Sequence, residues 1–405
     1  MQRRNHRIGR PHVALLIESS RAYGRGVLTG IAKYVREHGP WSISFEEHGL
    51  CDDVPQWLNE WRGNGIITRL ENQAMVEVVR RLNVPTVYLR NLPQQIQAPC
   101  VLTDNAATAR HAFEHLRERG FRHFAFCGYD GADYSDERRQ AFVALVEQLG
   151  RPCHVFNSPP SAAYGSTVEF ESEGLKDGNR VARWIQELPK PVGLMACNDS
   201  RGRQVLDACR AVGVGVPDEV GVLGVDNDEM LCDLSAPPLS SVVPNTERIG
   251  IEAAALLDQM MAGQKPLARL ILVEPRAVVV RQSTEVLAVE DRQIAAAARF
   301  IREHACEGID VRDVVKAVAL SRSTLERRFS KALGRSPKEE ILRVRLNSAK
   351  QLLADTSSSL EFIAEKIGLA HTEYLSRIFK KKTGLTPSQY RAHTSVRDVA
   401  VRRPA

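Results

Sequence analysis

The sequence predicts an α/β fold of two lobes, each a doubly wound parallel sheet, followed by an all-α domain with two helix-turn-helix motifs. Three observations predict it. Over residues 12–284, short continuous apolar runs alternate with amphipathic helical patterns, the signature of parallel strands covered on both faces. These runs are too many for one compact doubly wound unit, so two lobes are expected. Beyond residue 292 the period becomes purely helical, and one segment is written twice: TLERRFSKALGRSPKEE (Thr324–Glu340) and YLSRIFKKKTGLTPSQY (Tyr374–Tyr390).

The strands follow in order. VALLI (Val13–Ile17) precedes the helical pattern GRGVLTGIAKYVREHG, and GIIT (Gly65–Thr68) precedes MVEVVRRL. TVYL (Thr86–Leu89) comes next, then FAFCGY (Phe124–Tyr129) before ERRQAFVALVEQLG. CHVF (Cys153–Phe156) is followed, after a long loop, by GNRVARWIQEL. VGLMAC (Val192–Cys197) leads into RGRQVLDACRAVG, and VGVLGVD (Val220–Asp226) closes the series before ERIGIEAAALLDQMMAG.

In such sheets ligands bind beyond the carboxyl ends of the strands. Those ends carry Glu18, Ser19, Ser20, Arg21 and Tyr23 after the first strand, and Tyr129 and Asp130 with Arg138 after FAFCG. Asn198 and Asp199 follow VGLMAC; Asp226 and Asn227 follow VGVLGV. Carboxylates accept from paired hydroxyls, a guanidinium donates to two, an Asn amide does both, and an aromatic face covers the C–H side of a sugar ring. Each residue alone is ordinarily a helix N-cap or turn; the set at successive strand ends favours a polyol site built from Arg138, Asn198, Asp199, Asp226, Tyr23, Ser19 and Tyr129.

Other classes are disfavoured. There is no G-x-G-x-x-G, P-loop, G-x-S-x-G or H-E-x-x-H, and no metal-spaced histidine pair, so neither an enzyme, a cofactor nor a metal is expected. No apolar run approaches the roughly 20 residues that span a bilayer, and VALLI is too short for a signal-peptide core. The eight cysteines are scattered without C-x-x-C spacing, which suits buried apolar roles. A cytoplasmic protein without membrane partners is expected. Charge divides unevenly: residues 293–405 carry 22 basic and 12 acidic side chains, a balance of +10, against −4 for the rest. A basic end on a mildly acidic body points to a polyanion.

The stretches VLTDNAATARHAFEHLRERGFRHFAFCGY, ERRQAF, GLMACNDSRGRQVL and VGVLGVDND resemble the LacI-type effector domain, related to periplasmic sugar-binding proteins, over roughly residues 12–283. The resemblance implies sugar contacts at Arg138, Asn198, Asp199 and Asp226. The glycine of that family's R-x-x-G motif is Ala141 here. About eleven residues precede the first strand, too few for the DNA-binding domain such regulators carry ahead of the sensor.

The C-terminal elements begin with QIAAAARFIREHAC, a helix from Gln293 to about Cys306. Asp310 caps VRDVVKAV; Ser321 caps the next helix, and Gly334 stops it. Two short helices and a tight turn make a helix-turn-helix. The second copy is LEFIAEKIG (Leu360–Gly368) and then LAHTEYLSRIFKKKTG. The copies lie 49 residues apart at Leu320 and Leu369 but 50 apart at Phe329 and Phe379, so the second has one more residue where its second helix starts. SPKE and TPSQ are capping boxes in which Pro337 and Pro387 restart a helix after Gly334 and Gly384. The first restart, PKEEILRVRLNSAKQLLAD, spans roughly 27 Å and could hold two reading heads about one DNA turn, roughly 34 Å, apart.

Candidate base-reading positions are Arg322, Ser323, Thr324 and Arg327 on the first head. On the second they are His371, Thr372, Glu373 and Arg377, with His371–Glu373 taken as the counterparts of Arg322–Thr324. Arg327 and Arg377 are the strongest, because Arg pairs bidentately with guanine. Lys380, Lys381 and Lys382 suit phosphates. IAEKIG followed by YLSRIFKKKTGLTPSQYR resembles the AraC/XylS-type DNA-binding domain over roughly residues 293–394.

A LacI-type sensor ahead of an AraC-type reader resembles regulators of the xylose-operon type. So do ESSRAYGRGVLTGIAKYVREHGPWSISFEE and HACEGIDV. That resemblance implies a homodimer that binds D-xylose and operator DNA, works with RNA polymerase, and activates sugar-catabolism genes. A repressor, or a regulator of another sugar or polyol, stays open. The expected organisation is a basic tail over 1–11, the sensor over 12–284, a linker over 285–292, the reader over 293–395 and a tail over 396–405.

Overall fold

The structure, a computed structural model, describes residues 10–50, 52–69, 73–91, 98–158, 167–266, 268–285, 291–355, 358–369 and 371–395. The expected tails, 1–11 and 396–405, lie almost wholly outside these residues, as does most of the expected linker. The chain divides into two compact units, residues 1–288 and 289–405.

The first lobe of the first unit is built from β1 (His12–Leu16), α1 (Ala22–His38), β2 (Ser42–Phe45), β3 (Gly65–Thr68), α2 (Gln73–Leu82), β4 (Thr86–Tyr88) and β5 (Cys100–Thr103). The second lobe takes α3 (Asn105–Glu118), β6 (His123–Cys127), α4 (Asp133–Glu147), β7 (Cys153–Phe156), α5 (Thr167–Lys176) and α6 (Gly178–Glu187). It continues with β8 (Val192–Ala196), α7 (Asp199–Ala211), β9 (Val220–Val225), α8 (Glu229–Asp233) and β10 (Ser240–Val243). The chain then returns to the first lobe for α9 (Thr246–Met261) and β11 (Leu270–Val273), and to the second for β12 (Ala277–Val279). The sheet orders are β11-β5-β4-β3-β1-β2 and β12-β10-β9-β8-β6-β7. All pairings are parallel except β10 with β12. Three crossings between lobes therefore form the hinge, at residues 103–105, 243–246 and 273–277.

The inner strands β3, β8 and β9 are buried at every position and so on both faces of their sheets. In β1, Val13 and Leu15, with Ile17 just beyond, join the core under α1 and α9. Ala14 and Leu16 point the other way, toward Trp61, Met75 and Val79, as the two-residue period of a strand requires. α1 and α9 approach so closely that a Cβ on Gly250 would lie 2.1 Å from the Val27 carbonyl oxygen.

The two-lobed α/β architecture follows the sequence reading, with three differences. Five strands missing from that reading (β2, β5, β10, β11 and β12) complete the sheets. Serines interrupt β2 and β10, SISF and SSVV, whereas LILV of β11 and AVV of β12 are apolar throughout. The expected long loop after β7 contains α5, whose Thr167, Phe170 and Gly174 turn one face inward. Gln282–Thr284, at the expected end of the sensor and covered by no expected strand or helix, is a short 3₁₀ turn with Ser283 and Thr284 wholly buried in the second lobe.

The second unit contains α10 (Arg292–His304), α11 (Val311–Val318), α12 (Arg322–Leu333), α13 (Pro337–Asp355), α14 (Leu360–Lys366), α15 (Thr372–Thr383) and α16 (Pro387–Ser395). Asp310 caps α11 and Ser321 caps α12; Gly334 and Gly384 end α12 and α15 at φ 68° and 78°, a left-handed conformation open to glycine. Ser336 with Glu339, and Thr386 with Gln389, exchange hydrogen bonds in both directions, so both capping boxes form. Leu346, Ala349 and Leu353 of α13 pack against Ile363, Leu375 and Phe379, so the long helix is the spine of the second helix-turn-helix. Among the described residues no helix is long and apolar enough to cross a membrane.

Candidate ligand cleft and nucleic-acid interface

The carboxyl ends of both parallel sheets face one cavity of about 310 Å³, within the usual range for small-molecule sites. The first lobe contributes Ser20–Tyr23 after β1, Arg69 after β3, Leu89–Asn91 after β4, and Thr103 of β5. The second contributes Asp133, Tyr134 and Arg138 of α4, Thr167 of α5, Asn198–Ser200 after β8, and Asp226, Asp228, Met230 and Leu231 after β9.

Four arginines line the cavity (Arg21, Arg69, Arg90, Arg138) and four aspartates face them (Asp133, Asp199, Asp226, Asp228). Arg138 is buried; its Nε donates to Asn105 Oδ1 at 2.8 Å, its Nη1 donates to the Cys197 carbonyl, and Nη2 stands 4.0 Å from Asp226 Oδ1. Arg69 pairs with the buried Glu18 and lies 4.3 Å from the Tyr23 ring centroid. The Tyr23 hydroxyl is 2.9 Å from Thr103 Oγ1. Burial raises the Tyr23 pKa although Arg69 opposes it. Gly24 lets α1 start directly over Glu18: a Cβ there would sit 1.9 Å from the Glu18 carbonyl oxygen.

Arg21 of the first lobe donates to both carboxylate oxygens of Glu171 on α5, at 2.8 and 2.7 Å. Asn198 Nδ2 donates to the same Glu171 at 2.8 Å, so one carboxylate joins both lobes across the cleft.

Asn198 is also the N-cap of α7, its Oδ1 accepting from Arg201 N. Asp199 lines the cleft, but Oδ1 accepts from Ser241 Oγ at 2.6 Å and Oδ2 from the Asp228 N–H at 2.8 Å. Burial and the neighbouring Asp226 push its carboxyl up to about 8. Burial likewise raises Asp226, while Arg138, Arg69 and Arg21 pull it back. Asp226 and Asn227 have φ of 108° and 47°, a strained turn for residues with a Cβ, and it aims Asp226 at Arg138.

Of the sequence-expected set, Tyr23, Arg138, Asn198, Asp199 and Asp226 converge on the cavity. Ser19 and Tyr129 do not line it. The Ser19 N–H donates to the His48 carbonyl, and Ser20 lines the cavity in its place. Tyr129 is buried in the second lobe, its hydroxyl donating to Gln204, with Phe170 and the Arg201 guanidinium beside its ring. Sequence reasoning missed Arg69, Tyr134 and Glu171. Arg69 directly follows GIIT, so the strand-end rule covers it; Glu171 lies on the helix taken for a loop, where that rule is silent.

In the second unit Leu325, Phe329, Leu375 and Phe379 are wholly buried and fix the phase of α12 and α15. Arg322, Ser323 and Arg327 are then exposed on α12, with Thr324 half-buried. His371, Glu373 and Arg377 are exposed around α15, with Thr372 half-buried. Arg322 pairs with Glu326 at 3.0 Å, and the Arg377 guanidinium lies 5.5 Å from the Tyr374 ring centroid. Arg328 points away, pairing with Asp291 and Gln293.

The offset between copies resolves in the turns. Ala319 and Gly368, 49 residues apart, both have positive φ. Arg322 and Thr372, 50 apart, both open their helices. The additional residue lies in the second turn, so His371 matches the N-cap Ser321. The counterparts of Arg322, Ser323 and Thr324 are therefore Thr372, Glu373 and Tyr374, one position beyond the pairing read from the sequence. Arg327 and Arg377 correspond.

The XylR N-terminal domain family matches residues 12–106, the periplasmic binding protein-like domain family 113–284, and the helix-turn-helix domain family 314–393. The xylose operon regulatory protein of Escherichia coli (strain K12) is 32% identical over 393 residues, covering 94% of this chain and 97% of that protein. Its namesake in Haemophilus influenzae is 32% identical over 388 residues, with the same coverage. A solved structure of a xylose-binding transcription activator, XylR, superposes with a TM-score of 0.77 at 31% identity, over 95% of this chain and 98% of that one. With a two-lobed sensor, a double helix-turn-helix unit after it in sequence, and near-complete coverage of these relatives, the chain belongs to the xylose operon regulatory protein family, as a ligand-binding, DNA-binding transcription regulator.

Proposed function

We propose that the cleft binds D-xylose and that the protein, as a homodimer on operator DNA, activates transcription of xylose-catabolism genes by RNA polymerase. The charge balance of the cleft carries the effector class. The four lining arginines stand among four lining aspartates, and Arg21 and Arg69 pair besides with Glu171 and Glu18, so no excess of cations awaits a phosphate or a sugar acid. The charges balance, and the hydroxyl, amide and aromatic groups between them suit a small neutral polyol. The pentose itself is favoured by likeness to relatives named for the xylose operon.

In this reading Arg138 and Asp226 hold ring hydroxyls from the second lobe, and Tyr23 covers the apolar side of the ring from the first. The closed form binds the sugar more tightly than the open form, so the sugar shifts the lobe equilibrium. DNA affinity changes with it, reciprocally. Arg322, Ser323, Thr324 and Arg327 on one head, and His371, Thr372, Glu373 and Arg377 on the other, form the proposed base-reading surface, with Arg327 and Arg377 pairing to guanines.

Titration calorimetry of the full chain with D-xylose, a hexose and a pentose phosphate tests the effector. Saturable heat with D-xylose and none with the phosphate is expected. Binding of the phosphate in preference to the neutral sugars overturns the reading. A promoter fusion should rise with xylose in cells carrying the regulator; a fall would make it a repressor.

A further inference from the structure

Behind the cleft wall, Arg281 joins a segment that lines the cleft to the segment from which the chain runs on, in sequence, toward the second unit. Its Nη1 donates to Asn227 Oδ1 at 2.8 Å, and its Nε donates to Asp233 Oδ1 at 2.7 Å. Those two acceptors bracket residues 227–233, which follow Asp226 directly and contain the lining residues Met230 and Leu231. The arginine thus clamps from outside the wall segment that faces the ligand from inside. That segment begins at the positive-φ pair Asp226 and Asn227, so it is held in place by contacts rather than by backbone preference.

The backbone of Arg281 belongs to the other segment. Its N–H donates to Ser240 Oγ, and that hydroxyl donates to the Arg281 carbonyl. The next residues form the buried turn Gln282–Thr284: Thr284 Oγ1 donates to Ser240 Oγ, and Arg119 Nε donates to the Thr284 carbonyl. In sequence this turn leads to Asp291, the N-cap of α10.

We propose that Arg281 is the positioning residue that transmits effector occupancy from the Asp226–Asp233 wall to the Gln282–Thr284 turn, where the chain leaves the sensor. The proposal rests on the reading of the cleft as the effector site. Arg281 touches no cavity atom, so its loss should spare the sugar affinity and remove the response. Its fork makes it unlike a lysine here, since one guanidinium reaches Asn227 and Asp233 together.

The test uses the full chain with Arg281→Met, which keeps the apolar stem. Asn227→Gly, which suits the positive φ and removes the acceptor, covers the case in which the first variant fails to fold. Two quantities are measured: the D-xylose Kd of DNA-free protein, and the ratio of operator Kd without and with D-xylose. Allosteric ratios are commonly about 5- to 150-fold. The expected result is a ratio falling to within about twofold of unity, with the xylose Kd changed by less than about threefold. A ratio kept at the wild-type value, or lost in proportion to xylose affinity, overturns the proposal. A second arm needs no sugar: amide hydrogen exchange should accelerate together in peptides covering 227–233 and 281–285 in both variants. Acceleration confined to the substituted segment also overturns it. If the wild-type operator affinity ignores D-xylose, the effector assignment fails, and the exchange arm still decides the clamp.

Discussion

Replacing Glu171 by alanine removes the carboxylate on which Arg21 of the first lobe and Asn198 of the second converge. Two unit charges about 4 Å apart attract by about 4 kcal/mol at an effective dielectric near 20. The side chains here are 31% and 13% exposed, so desolvation and screening cancel much of that. A well-formed bidentate pair at such a site retains about 1 kcal/mol, while the hydrogen bond from Asn198 lies within the second lobe and is common to both forms. Only the Arg21 pair crosses between lobes, so the closed form should lose about 1 kcal/mol relative to the open one, roughly a fivefold shift.

Calorimetric titration with D-xylose reads this directly. The Glu171→Ala and Arg21→Met variants should each bind roughly fivefold more weakly, because each removes the same cross-lobe pair. Glu171→Gln keeps an acceptor and should fall between wild type and alanine. The double variant should bind about as Glu171→Ala does, because both changes break one shared contact. Wild-type affinity in Glu171→Ala, or full additivity in the double variant, would refute the latch.

Two further outcomes follow from the structure. Arg327→Ala and Arg377→Ala should each weaken operator binding by about 1–3 kcal/mol and relax preference at one site position; fluorescence anisotropy on single-base operator variants checks this, and unchanged preference would move base reading to other residues. Burial beside Arg119 pushes His115 down to about 3, with its Nε2 2.8 Å from Thr284 Oγ1. The folded form keeps this imidazole neutral, so its contribution is complete above the ordinary pKa near 6.5 and is lost as pH falls from there toward 3, at about 1.4 kcal/mol per unit. Between pH 7.5 and 5.5 the wild type should lose about 1.4 kcal/mol more than His115→Gln; equal losses in thermal melts would place the sensitivity elsewhere.

The parallel-sheet architecture was legible because strands buried on both faces must be apolar at every position, as β9 is from Val220 to Val225. Strand β10 was not: its Ser240 and Ser241 side chains are buried through hydrogen bonds to Arg281 and Asp199 rather than through apolar packing. In the cleft the strand-end rule reaches residues that leave a strand toward the ligand. It misleads at Tyr129, where Phe170 and Arg201 draw the ring into the core. It fails at Glu171, which enters the site from a helix whose acidic sequence carries little apolar periodicity. The Asp310 and Ser321 caps and the Gly334 and Gly384 stops of the helix-turn-helix copies were legible to the residue because their chemistry is fixed, whereas the register between the copies depended on where one added residue sits.

That residue alters what the two heads present. The turn of the first copy puts Ala319 at φ 51°, a mild cost for a residue with a Cβ. The second uses Gly368, where a Cβ would meet the Gly308 nitrogen at 2.6 Å, so the second turn is closed by close backbone contact as well as by conformation. After it the chain takes one more step to the cap. Ser321 caps α12 with its own hydroxyl, while His371 makes no side-chain cap to α15, leaving that ring available to solvent or to DNA. The buried pairs Leu325 with Phe329 and Leu375 with Phe379 hold the helices in the same phase, so Arg327 and Arg377 occupy equivalent places on equivalent faces. One turn earlier the heads diverge, with Arg322 and Ser323 against Thr372 and Glu373. A carboxylate accepts from a cytosine amine and repels phosphate, where Arg322 would do the reverse. Under the proposed docking, the two heads share one arginine contact and differ at the first helical turn, which makes the operator's two halves unequal in sequence rather than repeats of one element.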